Sequence, residues 1–184
     1  MKEFQLIQKC REKDREAQRE LYELYARKML TVCLRYSEDL ETARDLLQEG
    51  FIKVFVSLDT FNFSGSLEGW IRRIMVNTSL EYLRKHDMLR EAIDLSATEM
   101  VPSEMPSVLD EISANELMAI IKELPQGFRA VFNLYAIEGY SHKEIADMLE
   151  ITESTSRSQY TRAKRFLQKR LVEMDSCSYA KSVV

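Results

Sequence analysis

The stretch SHKEIADMLEITESTSRSQYTRAKRFLQKR, residues 141–170, predicts two helices joined by a tight turn. Ser141 and Glu144 match the capping-box pattern that starts a helix. The residues before Thr152 interrupt the helical spacing, and Thr152 can cap a second helix. From Ser154 onward the stretch has six Lys or Arg residues and no acid. This pattern is typical of a helix–turn–helix, whose second helix reads base edges in the major groove while its cations meet phosphates.

The spacing along the second helix predicts two different sides. One side is expected to pack inward and carries Ser156, Tyr160, Ala163 and Leu167. The other is expected to be exposed and carries Ser154, Thr155, Ser158, Gln159 and Arg162. An ordinary solvated basic face is the alternative, but the stretch favours DNA binding.

Composition indicates a helical protein of one or two small domains. The chain has 184 residues with only five Gly and three Pro, and helix-forming residues dominate. No apolar run reaches the ~20 residues of a membrane span, and the charged N-terminal sequence has no signal-peptide core. We therefore expect a cytoplasmic protein. Three cysteines without a CxxC pair and two separated histidines predict neither a metal site nor a cofactor.

The net charge of −4 is concentrated in one segment. Residues 1–90 have 16 basic and 15 acidic groups, residues 91–110 have none and 5, and residues 111–184 have 10 and 10. DNA affinity depends on the local field, so the overall sign does not exclude it. It does indicate weak binding by the isolated chain.

The sequence predicts an all-α fold of two small helical domains joined by a flexible linker. The segment before the C-terminal helices contains two prolines and no sustained helical period. The predicted boundaries are an N-terminal domain over 1–87, an acidic linker over 88–110, the helix–turn–helix domain over 111–173 and a frayed tail over 174–184.

The segment DLLQEGFIKVF, residues 45–55, predicts a helix with one buried side, preceded by a cap at Ser37. Asp45, Gln48 and Glu49 remain for another face, with Lys53 beyond them. On charge alone a solvated helix face is favoured over a docking surface for a basic partner.

The segment DTFNFSGS, residues 59–66, predicts a loop that contains two phenylalanines. Either both rings fold onto the core, or they form a pocket that stacks an unpaired base. Without further context core packing is favoured. Ser66 is expected to cap the next helix, which has Trp70 in its first turn and a basic polar side.

Together these segments resemble the extracytoplasmic-function sigma factors of bacterial RNA polymerase. DLLQEGFIKVF (45–55) resembles the family's polymerase-docking segment, and GSLEGWIRRIMVNTSLEYLRKH (65–86) resembles its helix for promoter melting and minus-ten recognition. Residues 124–171 resemble its fourth region, which reads the minus-thirty-five element. Many relatives have Gly where Glu150 stands, so a left-handed Glu150 would cost about 1 kcal/mol relative to Gly.

The resemblance implies three sets of binding residues and no catalysis. Polymerase docking is implied for Asp45, Gln48, Glu49, Phe51 and Lys53. Minus-ten contacts, including a pocket for a flipped base, are implied for Phe61, Asn62, Phe63, Ser64, Trp70, Arg72, Arg73, Asn77 and Arg84. Minus-thirty-five contacts are implied for Ser154, Thr155, Arg157, Ser158, Gln159, Arg162, Lys164 and Arg165. The implied partners are core RNA polymerase, promoter DNA in duplex and unpaired form, and an anti-sigma factor.

Two other function classes remain as rivals. A conventional helix–turn–helix regulator would bind duplex DNA on its own, usually as a dimer. A helical interaction protein would never contact DNA and would tolerate replacement of Arg157 and Arg162. An enzyme is least favoured, because the sequence has no nucleophile–base pair, metal cluster or phosphate loop.

Overall fold

The computed structural model describes residues 2–86 and 114–181, and within these ranges every regular element is a helix. The prediction of an all-α fold is therefore confirmed. The chain divides into two compact units, Met1–Leu83 and Arg84–Val184. The predicted linker 88–110 lies outside the described residues.

The N-terminal unit is built from four helices and one short turn. The helices are α1 (Lys2–Arg11), α2 (Arg15–Leu34), α3 (Leu40–Ser57) and α4 (Leu67–Lys85), and a 3₁₀ turn (Leu58–Thr60) follows α3. Asp14 caps α2, since its carboxylate accepts hydrogen bonds from the backbone N–H groups of Glu16 and Ala17. The predicted buried side of α3 is formed by Ala43, Leu46, Leu47, Phe51 and Val54, and Leu58 at the start of the 3₁₀ turn is buried with them.

The predicted cap of α3 is wrong by two residues. Ser37 is fully buried, whereas the carboxylate of Asp39 accepts a 2.7 Å hydrogen bond from the backbone N–H of Thr42. Both residue types are good caps. The tertiary burial of Ser37 leaves Asp39 in the position where the helix can begin.

Helices α3 and α4 approach each other closely at a glycine. A Cβ atom on Gly50 would lie 2.3 Å from Sδ of Met75, a side chain that is fully buried. Glycine therefore sets the distance between the two helices, because any larger residue would have to displace the thioether. This spacing places the outer faces of α3 and α4 on one rigid unit.

The C-terminal unit contains α5 (Ala114–Lys122), α6 (Gln126–Phe132), α7 (His142–Leu149) and α8 (Glu153–Lys181). A π-helical segment (Asn133–Ile137) continues α6. A buried cluster joins α5, α6 and α8 through Ile120, Ile121, Leu124, Phe128, Ala163, Leu167 and Leu171. Within residues 114–181 the unit therefore contains four α-helices, of which α7 and α8 form the predicted helix–turn–helix.

Helix α8 is longer than the sequence predicted. The expected frayed tail began at residue 174, but the helix continues to Lys181. The segment 174–181 contains no Gly or Pro that would stop a helix. The expectation of a frayed tail is therefore wrong for these residues.

Candidate functional site

Helix α3 presents a face that mixes polar and apolar side chains. Asp45, Gln48 and Glu49 are exposed as predicted, and they share a helical stripe with Ile52 and Val56. Ile52 is 63% exposed and Val56 is 79% exposed. These five residues are called the docking face here. The sequence prediction missed Ile52 and Val56, although Ile52 lies three and four residues after Glu49 and Gln48, and Val56 lies four residues after Ile52.

The two other predicted docking residues have different surroundings. Lys53 is partly buried and its ammonium group pairs with Glu49 at 2.9 Å and with Glu81 of α4 at 2.7 Å. Phe51 is 3% exposed, and its ring lies 4.7 Å from that of Tyr22. Phe51 therefore stabilises α3 against α2 and is not available for direct contact in this conformation.

An open groove of about 330 Å³ lies between α2 and α3 beside Gln48. Its wall is formed by Tyr22, Ala26, Arg27, Leu30, Arg44, Leu47 and Gln48. Aliphatic and aromatic carbon dominates this wall, and two arginines lie in it. The groove extends the mixed character of the docking face.

Residues 59–66, called the aromatic loop here, divide their two phenylalanines between core and surface. The ring of Phe61 is buried and lies 5.4 Å from that of Trp70. The ring of Phe63 is 41% exposed and lies 5.1 Å from Phe61. Phe63 has a φ angle of 61°, a left-handed conformation that is rare for a bulky residue. Core packing is therefore confirmed for Phe61, whereas a base-stacking pocket at the exposed Phe63 stays a prediction.

Hydrogen bonds fix the ends of the aromatic loop. The side-chain oxygen of Asn62 accepts from the backbone N–H of Ser64 at 3.0 Å, which forms a local turn. Ser66 caps α4 as predicted, because its hydroxyl accepts from the N–H of Gly69 at 3.1 Å. Asn62 and Ser64 themselves are exposed.

Helix α4 carries polar residues on an exposed stripe. Arg73, Asn77 and Arg84 are exposed, and their spacing of four and seven residues aligns them along one side. Arg72 and Trp70 are partly buried. Two cations and an amide along one stripe can contact successive phosphates and base edges.

The helix–turn–helix has the local geometry that the sequence predicted. Ser141 and Glu144 form a complete capping box at α7, and Glu150 is left-handed with φ 56°. The hydroxyl of Thr152 accepts a 3.0 Å hydrogen bond from the N–H of Thr155, which caps α8.

Most predicted minus-thirty-five residues on α8 lie on its outer side. Thr155 and Lys164 are half-buried, and the exposed ones are Ser154, Arg157, Ser158, Arg162 and Arg165. The guanidinium of Arg157 pairs with the carboxylate of Glu153. The predicted exposure of Gln159 is wrong, because this residue is 5% exposed. Gln159 lies three residues after Ser156 and four before Ala163, both fully buried, so helical spacing places it beside the packed side.

A polar and aromatic cluster fixes the start of α7 against α8. The Nδ1 atom of His142 lies 2.9 Å from the hydroxyl of the fully buried Ser156. The imidazole also stacks on Tyr135, with ring centroids 4.3 Å apart. Burial lowers the pKa of His142, and the nearby Arg157 lowers it further. These contacts predict a neutral imidazole that orients the two helices.

Within the two described ranges, no helix is long and apolar enough to cross a membrane. Among the same residues, no three His, Cys, Asp or Glu side chains are grouped as metal ligands.

Comparison with known families assigns both units. The family model for Sigma-70 region 2 matches residues 21–88, and the model for Sigma-70 region 4 matches residues 114–167. The chain belongs to the extracytoplasmic-function (ECF) sigma factors. It is therefore a sigma factor and not a stand-alone helix–turn–helix regulator. The docking face, the aromatic loop and the exposed stripe of α4 all fall within the region 2 match.

Individual relatives agree with this assignment. The chain is 32% identical over 161 residues to the ECF RNA polymerase sigma factor SigE of Mycolicibacterium smegmatis, covering 85% of this chain and 62% of that relative. It is 27% identical to the RNA polymerase sigma-H factor of Pseudomonas aeruginosa, covering 91% and 92% of the two chains. It is 29% identical to the ECF RNA polymerase sigma-E factor of Escherichia coli K12, covering 90% and 92%.

A solved structure has the same fold. It is the sigma factor RpoE of Bartonella quintana, in complex with the anti-sigma factor NepR. The likeness covers 85% of this sigma factor and 97% of RpoE, with a TM-score of 0.53 and 21% sequence identity.

Proposed function

We propose that this sigma factor binds core RNA polymerase through the docking face of α3 and directs it to promoter DNA. The observation that carries the proposal is the exposure of Ile52 and Val56 beside Asp45, Gln48 and Glu49. Two aliphatic side chains that lie next to each other on a helix face add little stability while water surrounds them. A partner that covers them removes their apolar area from water, which favours binding. The polar residues around them supply the rim that fixes orientation.

The DNA contacts are divided between the two units. The aromatic loop would hold an unpaired minus-ten base against Phe63, because a ring exposed beside an amide and a hydroxyl offers stacking and hydrogen bonds. Trp70, Arg72, Arg73, Asn77 and Arg84 would contact the melting duplex. The outer side of α8 would enter the major groove at the minus-thirty-five element.

Each DNA contact can be weak because the two units belong to one chain. Once one contact forms, the second occurs at an effective concentration that the linker sets. Binding of an extruded base also offsets the few kcal/mol of unstacking that strand opening requires. The protein supplies no bond-making chemistry in this scheme; the polymerase supplies catalysis.

We further infer that an anti-sigma factor is a second partner and that the protein acts in the cytoplasm. The relative RpoE was solved with such a factor. A docking face with exposed aliphatic residues is a surface that an inhibitor and the polymerase would compete for.

The test is reconstitution with purified core RNA polymerase. We expect Ile52→Asp to weaken polymerase association by about tenfold or more, since it places a charge at the apolar centre of the covered surface, where the loss of one residue costs ≥ ~1.4 kcal/mol. The double variant Asp45→Ala/Gln48→Ala removes rim contacts and should weaken association by a smaller, measurable factor. The matched control is Glu20→Ala/Gln18→Ala on α2, which removes the same kinds of group elsewhere on the unit. Unchanged association of both test variants, with helicity intact, would refute the docking assignment.

The upstream contact is tested with the same holoenzyme on a promoter library. We expect Arg162→Ala and Ser158→Ala to relax sequence preference in the upstream element, since a base contact contributes about 1–3 kcal/mol of discrimination. The control Lys122→Ala removes an exposed cation from α5. An unchanged preference in both α8 variants would contradict the placement of α8 in the groove.

A further inference from the structure

Helix α1 reaches the aromatic loop through one arginine. The guanidinium of Arg11 donates to the carbonyl of Leu58 at 3.1 Å and to the carbonyl of Phe61 at 2.6 Å. It also lies 3.7 Å from the carboxylate of Asp59 and 5.5 Å from the ring centroid of Phe63. One planar group therefore fixes two carbonyls, three residues apart, where the chain leaves the 3₁₀ turn and enters the loop.

A second residue of α1 contacts the exposed ring of the loop. The ring of Phe4 lies 5.2 Å from that of Phe63. Four aromatic side chains then form a continuous row from α1 to α4: Phe4, Phe63, Phe61 and Trp70. At the α4 end of the row Phe61 is buried and Trp70 is partly buried. At the α1 end Phe4 is 53% exposed and Phe63 is 41% exposed.

The exposure of the outer pair argues against a purely structural role. Two aromatic rings that served only the core would be covered by neighbouring side chains. The left-handed φ angle of Phe63 supports the same conclusion, because surrounding contacts must hold a bulky residue in that conformation. Arg11 and Phe4 are the contacts that α1 adds to the Asn62–Ser64 turn and the Phe61 ring, and they leave part of the Phe63 ring open.

We propose that Arg11 and Phe4 are positioning residues for base capture, holding Phe63 as a preformed stacking platform. This inference rests on the proposed capture of an unpaired base by the aromatic loop. It extends the functional region beyond the Sigma-70 region 2 match, which begins at residue 21 and so excludes α1. A platform ordered before the base arrives avoids the entropy loss of ordering the loop during binding.

The experiment uses holoenzyme assembled from the full chain and purified core polymerase. The probe is fork-junction DNA whose unpaired strand carries the minus-ten sequence that the wild-type holoenzyme selects from a random library. Abasic sites are introduced one position at a time, and the wild type is expected to lose affinity sharply at one position. That loss measures the contribution of the captured base.

We expect Arg11→Ala and Phe4→Ala to reduce the penalty of the abasic site by about tenfold, the usual size of one base–aromatic stack. Association with core polymerase and preference in the upstream element should stay at wild-type values, since neither depends on the loop. Arg11→Lys should behave as Arg11→Ala, because an ammonium group cannot replace the two-pronged guanidinium. Arg19→Ala and Leu24→Ala, both exposed on α2, are the matched controls.

The outcomes separate the two levels of the proposal. A penalty at one position in the wild type that persists in Arg11→Ala and Phe4→Ala overturns the positioning role and leaves base capture standing. The absence of any such position in the wild type overturns both. Full restoration by Arg11→Lys shows that charge alone suffices and overturns the two-carbonyl argument. Because Phe4 is half exposed, Phe4→Ala tests the platform even if Arg11→Ala does not fold.

Discussion

Replacement of Gly50 by alanine tests the packing between α3, which carries the docking face, and α4. The added Cβ would lie 2.3 Å from Sδ and 3.0 Å from Cε of Met75, and Met75 has no exposed surface into which it could swing. Overpacking of this kind costs about 1–3 kcal/mol. Alanine recovers about 0.5–1 kcal/mol through its better helix propensity. We therefore expect Gly50→Ala to lower the free energy of unfolding by about 1 kcal/mol.

The assay is urea unfolding of the full chain followed by tryptophan fluorescence. Trp70 is the single tryptophan and lies in α4, so its emission reports on the N-terminal unit. Met75→Ala alone should cost about 2–5 kcal/mol through the cavity it leaves. In the double variant the new methyl group of residue 50 occupies part of that cavity. The two effects should then fall short of additivity by about 1 kcal/mol or more.

Two results would refute this reasoning. A Gly50→Ala variant more stable than the wild type would mean that the thioether moves aside at little cost and that helix propensity decides. Additive effects in the double variant would mean that residues 50 and 75 do not share the space that the structure assigns to both.

Three further predictions concern capping, thiol reactivity and pH. Asp14→Ala should lower the stability of the N-terminal unit by about 1 kcal/mol in the fluorescence assay, since it removes the cap of α2. Burial raises the pKa of Cys10 and of Cys33 to about 11, so both thiols should resist alkylation at neutral pH until the protein unfolds, as peptide mapping by mass spectrometry would show. Burial lowers the pKa of His142 below its ordinary value of 6.5, so the unfolded chain binds the proton more readily; stability should fall as the pH drops below about 6.5, and thermal unfolding of His142→Gln should lack this dependence.

Features that depend on local sequence were predictable. The caps at Asp14, Ser66, Ser141 and Thr152 require only a side chain that reaches a backbone N–H two or three residues away. The left-handed Glu150 likewise follows from the turn between two helices. The burial of Gln159 was also predictable from its spacing to Ser156 and Ala163, since residues three and four apart share a helix face.

Features that depend on tertiary packing were not predictable in the same way. Ser37 and Asp39 are equally good caps, and only the burial of Ser37 in the folded unit distinguishes them. The sequence shows Gly50 as a helix-weakening residue, whereas its function depends on a contact with Met75 twenty-five positions away. The partial burial of Lys53 depends in the same way on Glu81 of another helix.

The conformation of the aromatic loop depends both on its local sequence and on a tertiary contact. Its composition posed a choice between core packing and a base pocket, and composition could not decide because both uses require aromatic rings. In the fold Phe61 packs into the core against Trp70, while Phe63 stays partly exposed and is the ring that we propose for base stacking. The contact that makes this division possible comes from Arg11, fifty positions before Phe61 in the chain. A loop held by a distant helix loses less entropy on binding than a loop held only by its own turns. If the proposed base capture takes place at Phe63, it should therefore depend on α1 as well as on the loop.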